Sequence, residues 1–276
     1  MLGYVADSAG AVRPIRGIPG SATLGAAVDG RLHGVAVRPA YALGIDDSGA
    51  AILVTAGGRR TLPVTGATNV FLSSRGMTAA IWRGGAAILD IVTGLPDAAA
   101  VIRSIPLDSA PDGLAISDDG ASIAVLERSR RGFDTLSWIA GANAPAVLYR
   151  SRRIESIAML DSAVLVAERN TVKLVSPSFG PQVVADGLDG VISATASADG
   201  SRIVIGTGSG AVQIIDRTAG TRRTLDCACT PGVLAPLRGN AVFRLNDPGD
   251  GPLWILDAGA GEPRLLFIAV PVGGAQ

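Results

Sequence analysis

The sequence predicts an all-β protein, a β-propeller of six four-stranded blades with an N-terminal hairpin that closes the ring. Three observations carry this expectation. Short turn signals recur about every 40 residues, each between two apolar, β-branched runs. The clearest are Ser117-Asp118-Asp119-Gly120 and Ser197-Ala198-Asp199-Gly200, with a weaker Ser73-Ser74-Arg75-Gly76; the register continues through Arg38-Pro39-Ala40, Asp161-Ser162 and Arg238-Gly239-Asn240. Gly76 and Gly120 are 44 residues apart, and Gly120 and Gly200 are 80 apart, two units. The runs between these turns are five or six residues long and bounded by Asp-Gly or Gly, as strands and hairpins are. Finally, the spacing leaves no room for helices, and four short strands per unit at this period describe a propeller.

The N-terminal residues Gly3-Tyr4-Val5-Ala6-Asp7, the turn Ser8-Ala9-Gly10 and Ala11-Val12-Arg13-Pro14-Ile15 read as an outer hairpin without an inner one before it. It is expected to join the C-terminal end of the chain, inside a sixth blade or as a partial seventh. The first full unit runs through Val35-Ala36-Val37, Ala42-Leu43-Gly44-Ile45, Ile52-Leu53-Val54 and Thr61-Leu62-Pro63-Val64. Later units contain Leu114-Ala115-Ile116 with Ile123-Ala124-Val125-Leu126, and Ile157-Ala158-Met159 with Val164-Leu165-Val166 and Val172-Lys173-Leu174-Val175. The best-formed unit has Val191 to Ala196, Arg202 to Ile205, Ala211 to Asp216 and Thr221 to Leu225, and the last extends from Val233 to Ile268. Each unit alone exposes two apolar faces that only neighbouring blades can cover.

The 276 residues are taken as one propeller domain, 1–276. Hydrophobic residues reach 48% and charged ones only 17%, enough apolar material for a core. Aromatics are 4%, so aliphatic side chains must fill the spaces between blades. The 24 basic and 24 acidic residues balance, which argues against nucleic acid as a partner. No run is long and apolar enough for a membrane span. Cys227 and Cys229, one residue apart, read as free thiols. Gly206-Thr207-Gly208-Ser209-Gly210 lies between two strands rather than before a helix, so it reads as a blade turn and no cofactor is expected.

In a propeller the loops leaving each second strand and entering each first strand share one face, the usual ligand-binding mouth. There the sequence places Trp82, Arg83, Glu127, Arg128, Glu168 and Arg169 as candidate ligand-binding residues. The arginines offer forked donors to a carboxylate or phosphate, and Trp82 a stacking surface; the same Glu-Arg pairs also fit solvated loop charges or inter-blade ion pairs. Asp46, Asp47, Glu127, Glu168 and Asp247 are candidate ligands for a divalent ion if their side chains converge. His33, the one histidine, reads as structural or surface. No catalytic residue is assigned.

The Ser-x-Asp-Gly turns, each followed by a branched strand and a Gly- or Asp-marked outer hairpin, resemble the WD40-like and YVTN-like bacterial propeller repeats. The Trp-Asp ending of true WD40 units is missing. Leu2-Gly3-Tyr4-Val5-Ala6-Asp7 with Ile15-Arg16-Gly17-Ile18-Pro19-Gly20 is similar to apparently exported bacterial propeller proteins. That resemblance implies an extracytoplasmic location. The leading expectation is a non-catalytic, monomeric scaffold that binds a protein, peptide or saccharide on the mouth face. The alternative, also implied by resemblance, is a metal-dependent hydrolase of the lactonase type using the five acidic residues above.

Overall fold

The computed structural model describes residues 1–269 except 8, 250 and 260. Seven antiparallel sheets follow one another along the chain as the blades of a ring. Blade 2 contains His33–Val37, Tyr41–Ile45, Ala51–Thr55 and Gly58–Thr61, and blade 3 contains Asn69–Leu72, Thr78–Arg83, Ile88–Thr93 and Ala100–Pro106. Blade 4 is Gly113–Ile116, Ser122–Glu127, Asp134–Ala140 and Ala146–Ser151; blade 5 is Ser156–Leu160, Ala163–Ala167, Val172–Ser176 and Phe179–Ala185. Blade 6 is Val191–Ala196, Arg202–Thr207, Ala211–Asp216 and Thr221–Asp226; blade 7 is Ala235–Pro236, Val242–Arg244, Leu253–Asp257 and Arg264–Ile268. Among the described residues blade 1 has three strands, Gly3–Ala6, Val12–Arg16 and Thr23–Leu24.

Period-two alternation explains how thin blades build a core. Side chains of successive strand residues point to opposite faces, so Ala79 and Ile81 pack toward blade 2 while Ala80 and Trp82 pack toward blade 4. Among the described residues there are seven apolar clusters, one for each interface between neighbouring blades. The cluster joining blade 7 to blade 1, with Leu237, Val242, Leu253 and Ile255 against Leu2, Val5 and Ile15, closes the ring.

All six turn signals connect an inner strand to the second strand of its blade. In the sharpest, the Asp119 carboxylate accepts hydrogen bonds from the Ser117 hydroxyl (2.5 Å) and the Ala121 N–H (2.9 Å), while Gly120 has φ +72°. Asp199 repeats this with Ser197 and Ser201. Glycine is needed at Gly120 because left-handed backbone strains a residue with a Cβ.

Three expectations change. The N-terminal hairpin forms the partial seventh blade, and its strands take the second and third positions rather than the outer two. Gly3 lies beside Pro39 at the turn end of blade 2 and Gly10 beside Leu32 at the mouth end, so the first strand runs in the direction of the second strands. Ser8, in the turn read between these strands, lies outside the described residues. The fourth strand of blade 2 is Gly58–Thr61 rather than 61–64, because a tight turn at Gly57 and Gly58, φ +119° at the latter, lets pairing with Thr55 begin at once. Cys227 and Cys229 form a disulfide, their Cα atoms 5.0 Å apart, where the chain bends away from the edge of blade 6.

Candidate functional site

The turn face is closed by its own hydrogen bonds. The Arg75 N–H donates to Asp118 Oδ1 (2.9 Å), and its Nε reaches the Ala198 carbonyl three blades away (3.1 Å). Ser74 donates to the Met159 carbonyl and Thr78 to that of Asp118. These bonds tie the turns together across the bottom of the channel. The channel itself, about 330 Å³, is lined by inner strands of blades 2 to 7, with Ser156, Ser193, Thr195 and Arg38 among mostly apolar neighbours. The Arg38 guanidinium donates to the Val37, Leu72 and Ser73 carbonyls at 2.7 to 2.8 Å, and burial pushes its pKa below the ordinary arginine value.

On the mouth face, the candidate residues take different roles. The Trp82 ring is buried, 4% exposed, between blades 3 and 4, and so is withdrawn from the mouth. Arg83 pairs with the buried Asp90 of the adjacent strand at 2.6 Å. Ser104 also donates to Asp90 (2.5 Å), making this a structural pair. Glu127 and Arg128 are exposed; Glu127 accepts from the Ser109 hydroxyl, and Arg128 donates to the Glu155 carbonyl (2.9 Å). Arg169 is exposed, its carbonyl accepting from the Val191 N–H.

Glu168 meets Lys173 (2.7 Å) and the Tyr149 hydroxyl (2.8 Å) in a partly buried triad. Burial alone would raise the Glu168 carboxyl, but hydrogen bonds from Lys173, Ser151 and Tyr149 outweigh it and hold the pKa below the usual value. Burial pushes the Tyr149 hydroxyl up.

The five candidate metal ligands are engaged separately. Asp46 accepts from Ser48, Ala50 and Arg59; the Ser48 hydroxyl is the main reason its pKa is lowered. Asp47 sits 2.9 Å from the exposed His33 ring, and Asp247 pairs with Arg244. Glu127 and Glu168 keep the partners above. Among the described residues no three His, Cys, Asp or Glu side chains gather as a cation site requires.

The feature the sequence reading missed is a cleft of about 550 Å³ between blades 7 and 2, above the first strand of blade 1. Its walls include Ala6 and Gly10, His33 to Val35, and Val233, Arg244 and Asp247. Arg244 is 6% exposed; one Nη donates to Asp247, whose side chain is half exposed, while its buried Nε has no hydrogen-bond partner. Burial lowers its pKa and Asp247 partly offsets this. The signal was present in Val242-Phe243-Arg244-Leu245, where a charge interrupts an apolar strand.

Fold and site together define a seven-bladed β-propeller in which one blade has three strands among the described residues, with a recess opening beside it. No protein-family profile matches the chain, and no curated protein matches it either. Solved structures share the fold. A functionally unknown protein from Desulfotomaculum acetoxidans superposes with a TM-score of 0.57 at 9% identity, covering 83% of this chain and 78% of its own. Kuenenia stuttgartiensis hydrazine synthase superposes with a TM-score of 0.59 at 13% identity, covering 98% of this chain and 95% of that one.

Proposed function

We propose that the protein is a non-catalytic scaffold that binds a partner on the mouth face, with the cleft between blades 7 and 2 as the seat of contact. One observation carries this reading: Arg244 is buried in the cleft wall with Nε unsatisfied. A buried cation with an incomplete donor set is costly to keep, and a ligand acceptor would complete it. The exposed Glu127, Arg128 and Arg169 serve as an outer polar rim on the same face. Arg83 and Trp82 hold that face in place from behind. The Ser-x-Asp-Gly turns support membership among WD40-like or YVTN-like repeats, and the Cys227–Cys229 disulfide supports an oxidising, extracytoplasmic compartment.

The test is binding by the intact protein to protein, peptide and glycan arrays, beside Arg244→Met and the double variant Arg128→Ser/Arg169→Ser. Binding lost in the first, weakened in the second, with the melting temperature of the double variant unchanged, is the expected result. Ligands that bind both variants as well as wild type would sink the assignment. A thermal shift with calcium, magnesium or zinc, combined with turnover on a lactone panel, would instead favour the hydrolase.

A further inference from the structure

Blade 1 lacks an inner strand among the described residues, and its first strand presents an unpaired edge where that strand would lie. The Asp7 N–H bonds to the Ala11 carbonyl, while Pro14 and Val12 turn their carbonyls to Gly25 and Val28 on the far side. With Tyr4 opposite Pro14 and Ala6 opposite Val12, the alternation of antiparallel pairing directs the Tyr4 and Ala6 backbone groups away from the hairpin partner. On that edge the Leu2 carbonyl accepts from the Arg238 N–H, and no described residue pairs with Tyr4 or Ala6. Unpaired strand edges are templates for another strand.

One wall of this gap carries a buried arginine. At the mouth end of each second strand, the residue facing the next blade is Ile45, Trp82, Leu126, Ala167 or Gly206 in blades 2 to 6. In blade 7 it is Arg244, on the same side as Val242, which packs against blade 1. The arginine thus stands at the interface whose next blade, among the described residues, has no inner strand. Arg244, whose buried Nε has no partner, and Ala6 line the same cleft.

We infer that the cleft takes an extended peptide segment as the missing strand of blade 1, bonded to the edge at Ala6, with a carboxylate of the peptide paired to Arg244. This deepens the binding reading and rests on it. Main-chain bonds would supply affinity with little dependence on sequence, and the arginine would select for acid. The carboxylate can come from a peptide C-terminus or from an Asp or Glu side chain.

A display library of random heptapeptides with free C-termini is selected on the intact protein, and the winners are synthesised. Four forms are compared: free acid, C-terminal amide, amide with any Asp or Glu changed to Asn or Gln, and an alternately N-methylated peptide. The acid-free form should bind about tenfold more weakly or worse. Loss on amidation alone identifies the C-terminal carboxylate, and loss only with the side-chain change identifies Asp or Glu. The N-methylated form should also lose binding, and because it is read on unaltered protein it does not depend on any variant folding. Arg244→Met should erase the preference for acid, with Arg244→Lys intermediate. Winners indifferent to both N-methylation and Arg244 overturn the inference while leaving a binding scaffold. A library that yields no winners overturns it too, and the array experiment then decides the broader reading separately. A variant ending at residue 269 that melts lower yet binds winners more tightly would give the gap to the protein's own 270–276, which also overturns it.

Discussion

At the residue scale, two side chains that read as ligand contacts, Trp82 and Arg83, belong to the scaffold. Trp82 fills the interface between blades 3 and 4, so Trp82→Ala should cost about 3–5 kcal/mol, measured by urea unfolding. A loss under about 1 kcal/mol would mean the ring was not core. Asp119 gives a pH-dependent contribution. The hydrogen bond from Ser117, then that from Ala121, lowers its pKa below 3.8, so its stabilisation is present above that value and is lost as pH falls through the folded-state pKa. Asp119→Ala should therefore be less stable than wild type at pH 7, with the difference shrinking below about pH 4. A difference constant down to pH 2 would assign the effect to something other than ionisation.

Among elements, the inner turns repeat one device: a hydroxyl and a carboxylate organise the loop, and a left-handed glycine returns the chain. Gly120→Ala and Gly200→Ala should each cost about 1–2 kcal/mol, since their φ angles are +72° and +69°. Gly206 is held by a different constraint. A Cβ there would lie 2.3 Å from the Pro231 carbonyl oxygen, so Gly206→Ala must move the chain entering blade 7. It should lower the melting temperature more than either turn variant; an equal or smaller effect would show that this segment yields easily. That contact accounts for Gly206, and a left-handed backbone with φ +89° accounts for Gly210.

For the whole molecule, closure depends on an N-terminal hairpin packing against the C-terminal blade. Deleting residues 1–16 would uncover Leu237, Val242, Leu253 and Ile255. The truncated protein should bind a hydrophobic dye and unfold at lower denaturant; an unchanged midpoint would mean the ring holds without blade 1. Of the site, the mouth face and its charged residues were legible from the repeat register, since that register fixes which loops share a face. Side-chain direction was not legible. Trp82 points between blades, Arg83 is consumed by Asp90, and the five acidic residues find five separate environments.

The sequence by itself determined most of the strands, the turns that mark the repeat and the sorting of loops to two faces, because these follow from period-two alternation and local turn chemistry within about 40 residues. Tertiary structure decided the blade count, the place of the N-terminal hairpin within its blade and the burial of Arg244. Those depend on contacts between residues more than 200 positions apart, as between Leu2 and Arg238, where the ring meets itself. No local pattern encodes which strand of a blade a hairpin will become.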